Sequence, residues 1–245
     1  MHPIMMFASN LPLLVMLLGV PSAVYTFSVQ FPRCSSQVDV DKCIESIGTQ
    51  AIRALAGGDL SVGIPPLDPL VLPSFTLDNT NGSLFKVRIK LSQIVVSGIR
   101  DTKLTKSLSD KSGKHIEWEL ETPLLEIDAS YSITGSLQDI PVSGQGLAHA
   151  TKENVKSKIA IDYDKVTRDG VQFLTVVNLN FTYTNSKHSL TLNNAGDEVN
   201  NILKAKWEEI EKELIPFDRR GISAFLKAAF NKALELIPYD TLFLP

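Results

Sequence analysis

The chain has 245 residues, 44% of them hydrophobic and 21% charged, with a formal net charge of −3. That balance supplies enough apolar side chains for a sizeable core. The slight acidity argues against nucleic acid and against anionic membrane surfaces as partners.

The first 26 residues contain no Lys, Arg, Asp or Glu, and within them residues 11–24 form an apolar core broken by Pro12 and Pro21. This is short of the about 20 residues a membrane span needs and fits the apolar region of a signal peptide. Ser22, Ala23 and Thr26 offer cleavage sites between positions 22 and 26. The expected product is a secreted, extracellular protein whose residues 27–245 form a single elongated domain. No later stretch is apolar for long enough to cross a bilayer, so no integral membrane association is expected. Cys34 and Cys43 are a lone pair close in sequence, which an oxidising compartment would join in one disulfide. Their surroundings hold too few Cys and His for zinc.

Apolar residues at Ile44, Ile47, Ala51, Ile52 and Leu55 predict an amphipathic helix over 41–55, ended by Gly57-Gly58. Prolines 65, 66 and 69 then force extended or turn geometry. From Phe75 to Leu192 the period changes to two. Phe85, Val87, Ile89 and Leu91 alternate with Lys86, Arg88 and Lys90. Ile116, Trp118 and Leu120 alternate with Glu117, Glu119 and Glu121. Leu125, Ile127, Ala129, Tyr131 and Ile133 alternate with acidic and hydroxyl residues. Ile159, Ile161 and Tyr163 form another such run, and 171–183 reads as one long strand. Asn81-Gly82, Ser112-Gly113 and Asp169-Gly170 mark turns. The alternation changes phase near Gln93, where a bulge is expected. One apolar and one charged face describe an antiparallel sheet covered on one side.

Residues 196–238 return to a helical period. Val199, Ile202, Leu203, Trp207, Ile210 and Leu214 share one face, and Ile222, Phe225, Leu226, Ala229, Phe230, Ala233, Leu234 and Ile237 continue it. Asn194 or Asp197 is the expected cap and Pro238 the stop, with a kink or restart at Pro216. Run end to end, this element would span about 60 Å. The sheet's apolar face and the helix's stripe must bury each other, giving an elongated α+β body in which twisted strands wrap the helix.

Catalytic signatures are missing: the sequence has no G-x-S-x-G, Walker A, H-E-x-x-H or G-x-G-x-x-G motif. Gly144-Gln145-Gly146 reads as a strand turn. His115, His149 and His188 are scattered singly and read as surface or edge residues, and Glu117, Glu119 and Glu121 as a solvated strand face. Asn81 and Asn180 are N-glycosylation acceptors, one in a turn and one on the polar side of its strand.

Several segments in order carry a resemblance: Cys34 with Cys43-Ile44, the Gly63-Ile-Pro-Pro-Leu-Asp-Pro69 stretch, Pro123 to Gly135 around Tyr131, Pro141-Val-Ser-Gly-Gln-Gly146, Leu192-Asn-Asn194, Trp207, Glu213-Leu-Ile-Pro216, and Pro238 before Leu242-Phe243. Together they resemble the takeout and haemolymph juvenile hormone-binding protein family of insects, over nearly the whole mature chain. The helix start departs from the family pattern at Leu192-Asn-Asn-Ala-Gly196. The resemblance implies a long C-terminal helix wrapped by a strongly curved antiparallel β-sheet enclosing an apolar tunnel, as in the tubular lipid-binding superfamily. It also implies a secreted carrier of terpenoid hormones or other lipophilic molecules. Hormone binders proper usually carry a second disulfide, which two cysteines cannot make, so the likeness leans to the takeout branch.

The expected function is therefore a non-enzymatic carrier binding a small lipophilic ligand, juvenile hormone-like, isoprenoid or fatty-acid-like. Trp118, Tyr131, Ile133, Phe173, Trp207, Phe225 and Phe230 are the candidate lining, with the Tyr131 hydroxyl as a polar tip for an ester, epoxide or carbonyl. The alternative is a secreted structural or signalling protein with a filled core that acts through a protein partner or receptor. A monomer without cofactor or metal is expected in either case.

Overall fold

The computed structural model describes residues 34–35, 39–60, 64–110, 112 and 114–244. The signal peptide reading, its cleavage sites and the start of the domain lie outside them.

A single hairpin forms the spine. Strands β6 (His115–Leu137) and β7 (Ile140–Arg168) pair antiparallel from His115 opposite Asp162 to Leu137 opposite Ile140, without a register shift. Gln138 and Asp139 join them, with φ of 49° and 64°. Positive φ at both central residues is what a two-residue turn matched to the strand twist requires. Shorter strands flank this spine end to end. On the β6 side lie β4 (Phe85–Ser97) and β5 (Lys103–Ser109), and on the β7 side lie β9 (Lys187–Leu192) and β8 (Val171–Thr184). The outer edge of β4 carries β2 (Leu70–Leu72) and β3 (Phe75–Asp78). The result is one eight-stranded antiparallel sheet that does not close on itself. The expected bulge is present, with a register shift between Ser92 and Val95 and φ of 52° at Gln93.

A second irregularity sits in the spine. Inward residues of β6 are Trp118 and Thr122 before Pro123, but Ala129, Tyr131 and Ile133 after it, a change of parity. In β7 the inward set changes at the same level, from Val142 and Lys152 to Val155, Ile159 and Ile161 around Asn154, whose φ is 50°. Both strands exchange faces together, so their register survives. This level separates two apolar clusters. The first, around Phe85, Val87, Tyr131, Ile133, Leu137, Leu203 and Ile210, is solid, with each of these residues at most 3% exposed. The second, around Ile159, Ile161, Val176 and Leu179, is flanked by Trp118, Leu120, Phe181, Leu226, Phe230 and Leu234, all still partly exposed.

Helix α1 (Val40–Ala54) is one residue out of step with the expected 41–55 and starts from the Asp39 side chain, which accepts from Lys42 N. It caps the outer edge of β5. Thr49 accepts from Leu104 N, Glu45 from Ser107 N, and Asp41 from Ser109 N, three side chains spaced by four that satisfy an unpaired edge. The disulfide between Cys34 and Cys43 ties this helix to the short strand β1 (Cys34–Ser35). That strand pairs in parallel with β10 (Phe243–Leu244) near the other end of the chain.

The long helical stretch differs from expectation in three respects. It is split at Lys206 into α2 (Asp197–Ala205) and α3 (Trp207–Leu234), while α3 runs unbroken through Pro216. Pro216 is exposed, and its ring faces outward where the lost amide bond costs least. The start is capped neither by Asn194 nor by Asp197. Gly196, with φ of 85°, holds the N-cap position without a side-chain bond, and Asn200 instead ties the turn to both backbone groups of Leu192. Helix α3 stops at Leu234, before Pro238, which bridges to Phe173; the short α4 (Tyr239–Leu242) follows.

Along β8, α3 repeats the edge-capping of α1. Ser223 accepts from Phe181 N, Lys227 donates to Val177 O, and Asn231 bonds both backbone groups of Val176. The polar row 223, 227, 231 therefore meets the sheet's edge, and the apolar row beside it, Leu226, Phe230 and Leu234, turns to the second cluster.

Candidate functional site: a loose apolar cluster and a polar belt

Five of the seven candidate lining residues fall in the two apolar clusters. Tyr131 and Ile133 belong to the solid first cluster, with Trp207 packed against it. Trp118 and Phe230 face each other in the second, ring centroids 6.1 Å apart. Phe173 is half-buried beside Pro238, and Phe225 is half-buried on α3. Tyr131, Ile133 and Trp207 are thus separated from Trp118 and Phe230 by the parity change at Pro123.

Tyr131 has a defined task in the fold. Its hydroxyl donates to the Asn193 carbonyl at 2.6 Å, and burial raises its pKa. Gly146 lies directly opposite Tyr131 in the β6–β7 register, in mid-strand rather than in the turn expected for Gly144-Gln145-Gly146. A Cβ at Gly146 would come within 2.3 Å of Asn193 O and 3.2 Å of the Tyr131 ring, so this glycine makes room for the bond. The donor of the proposed polar tip is therefore engaged inside the protein.

Between the two clusters lies a polar belt that the spacing of the sequence did not disclose. It forms where β7 changes partner from β9 to β8. Lys152 of β7, only 11% exposed at its side chain, binds Glu211 of α3 at 2.9 Å and sits 4.9 Å over the Tyr183 ring. The Tyr183 hydroxyl donates to Asp218 at 2.8 Å. Burial, followed by the Asp218 and Glu211 charges, pushes the Tyr183 pKa far up, and burial raises that of Asp218. His188 of β9, expected at the surface, is stacked on Trp207 with centroids 3.4 Å apart. Burial first, then the Lys152 charge, lowers its pKa to about 3. The imidazole is neutral at physiological pH.

A cleft of about 770 Å³ opens onto this belt, within the usual size of small-molecule sites. Among the groups at its wall, Trp207 Nε1, Arg219 Nε and both ring nitrogens of His188 are buried without a hydrogen-bond partner among the described residues. Of these residues the sequence singled out Trp207, as apolar lining, and His188, as a surface or edge residue; neither reading disclosed the belt. Lys152 and Asp218 look like ordinary surface charges until strand and helix are placed together.

The remaining candidates lie on the surface. Asn81 and Asn180 are exposed. Glu117, Glu119 and Glu121 pair across strands with Lys158, Lys106 and Lys156. Among the described residues no group of three or more His, Cys, Asp or Glu gathers as a metal site, and no helix is long and apolar enough to cross a membrane.

The fold has known counterparts. The structure of Takeout 1 from Epiphyas postvittana superimposes with a TM-score of 0.75 at 16% identity, covering 87% of this chain and 99% of that one. A lipopolysaccharide binding protein gives a TM-score of 0.40 at 10% identity over 75% of this chain and 36% of its own. No curated protein matches the sequence. The sequence pattern of the haemolymph juvenile hormone binding proteins matches residues 13–244, almost the whole length. The chain belongs to the haemolymph juvenile hormone binding protein family.

Proposed function

We propose that the protein is a secreted, non-catalytic carrier that holds a small lipophilic molecule against the second apolar cluster. The observation that carries this reading is the contrast in packing along one sheet. Among the described residues the first cluster has eleven buried members, 0–7% exposed, inside a partly buried rim that includes Phe75, Leu91 and Phe217; the second has four, 4–8% exposed, and Trp118, Leu120, Leu226, Phe230 and Leu234 converge on them from sheet and helix yet keep surface uncovered. Ile210 is the only buried residue of α3. Inward apolar side chains that do not seal against one another leave area for an apolar ligand, whose burial contributes about 25 cal/mol per Å². Family membership supports a lipophilic ligand, and the uncharged first 26 residues support export.

Probe titration tests the reading. Delipidated protein should take up N-phenyl-1-naphthylamine, and Phe230→Ala should weaken that uptake while costing only about 1–2 kcal/mol of stability, below the usual range for a sealed phenylalanine. Leu203→Ala in the solid cluster should cost about 3–5 kcal/mol and leave uptake per folded molecule unchanged. Absence of probe uptake, together with a lipid-free organic extract of the secreted protein, overturns the carrier.

A further inference from the structure

The belt between the two clusters has more hydrogen-bond donors than acceptors for them. Trp207 Nε1 and Arg219 Nε can only donate, and neither has a partner among the described residues. Neutral His188 adds one further N–H. The nearby carboxylates are already engaged: Glu211 holds Lys152, Asp218 accepts from Tyr183, and Glu209 holds Lys206. Glu208 stands exposed at the cleft's rim. Lys204, Lys212 and Arg219 also line the cleft, without an ion pair among the described residues. Buried donors left unmatched are costly, and a ligand oxygen that reaches them recovers that cost. A site of this kind discriminates strongly against analogues lacking the oxygen.

The belt also borders the apolar region, through Tyr183. Tyr183 lines the cleft, and its ring lies 5.9 Å from that of Phe181, which packs into the second cluster. A molecule with an oxygen-rich head at Trp207 and Arg219 can lay its chain past Tyr183 and Phe181 toward Phe230. Excess positive charge on the wall selects an anionic head over a neutral one.

We infer that the cleft at Trp207, His188 and Arg219 is a head-group site for the carboxylate of a fatty-acyl amphiphile whose chain occupies the second cluster. This assignment rests on the carrier reading above and specifies its ligand class. The carboxylate oxygens accept from Trp207 Nε1–H and from the Arg219 guanidinium, while Lys204 and Lys212 add longer-range attraction.

Competition binding on delipidated protein separates the two ideas. With N-phenyl-1-naphthylamine as reporter, palmitate should displace at a concentration at least tenfold lower than methyl palmitate, about 1.4 kcal/mol of preference. In Arg219→Met and Trp207→Phe, the second of which keeps a ring over His188, that preference should collapse toward one. Equal displacement by acid and ester in the wild-type protein overturns the head-group site while leaving the carrier intact, and needs no variant to fold. A preference that survives in both folded variants also overturns it. Failure of the reporter to bind at all counts against the carrier itself.

Discussion

Asn231 holds the backbone of Val176 with both ends of its amide: Oδ1 accepts from the Val176 N–H at 2.7 Å, and Nδ2 donates to its carbonyl at 3.1 Å. The side chain thereby stands in for a neighbouring strand at the free edge of β8. Asn231→Leu keeps the size and removes both bonds, and should cost about 1–3 kcal/mol. Urea denaturation measures the cost. Hydrogen exchange at the Val176 amide should accelerate well before exchange in the β6–β7 hairpin does.

Glu213 of α3 plays the same part for the turn between β3 and β4. Its carboxylate accepts from Ser83 Oγ at 2.5 Å, Leu84 N at 2.9 Å, Asn79 Nδ2 at 3.0 Å and Phe85 N at 3.3 Å. Burial alone would raise its pKa, but these bonds together hold it below the ordinary carboxylate value. Glu213→Ala should destabilise by about 2–3 kcal/mol. In the wild-type protein this contribution is present above pH 4.5 and lost as pH falls through the lowered folded value. Chemical denaturation at neutral pH checks the first statement; a wild-type melt that loses no more stability than the variant's on acidification would contradict the second.

Gly146→Ala places a methyl against the Asn193 carbonyl, a backbone atom that cannot swing aside. The expected result is loss of the Tyr131–Asn193 bond and about 1–3 kcal/mol from overpacking. Tyr131→Phe removes the bond without the clash and should cost about 1 kcal/mol. The difference between the two variants in a thermal melt isolates the steric part.

His188 makes stability depend on pH in a known direction. Its folded pKa of about 3 lies below the ordinary 6.5, so the unfolded chain takes up the proton first. The stability associated with the neutral ring is whole above about pH 6.5 and declines as pH falls toward 3. Asp218, raised above 3.8, acts in the opposite sense, favouring the fold as it takes up its proton. A comparison with His188→Phe separates the two. The variant's Tm should fall less than the wild-type Tm between pH 7 and pH 5, and parallel curves would contradict this origin.

Strand periodicity disclosed most of the architecture because each half of the sheet has one wet face, and a one-sided sheet writes its exposure into alternate residues. The bulge at Gln93 was visible for that reason. The parity change at Pro123 is present in the sequence, Trp118 and Leu120 being even-numbered and Ile127 and Tyr131 odd-numbered, but it was not read there, because nothing between the two runs marks them as a single strand. Pro216 misled because proline's cost depends on which side of the helix its ring occupies, and that side is set by packing. The belt was illegible for a different reason. Lys152, Tyr183, His188, Asp218 and Arg219 are distributed over three strands and a helix, and none is unusual in its local sequence. Burial alone distinguishes them, and burial is a property of the assembled chain.

The exchange of faces at Pro123 and Asn154 has a consequence for how such a protein can change its cargo. The same two strands present one set of side chains to the sealed end and the complementary set to the loose end, each on opposite parity. Replacing Trp118, Leu120, Ile159 or Ile161 reshapes the loose end alone, because on the far side of that level the residues of matching parity point to solvent. Selection can therefore retailor the loose compartment while the residues that hold the fold together, Tyr131, Ile133, Leu137 and Val142, stay untouched on the very same strands.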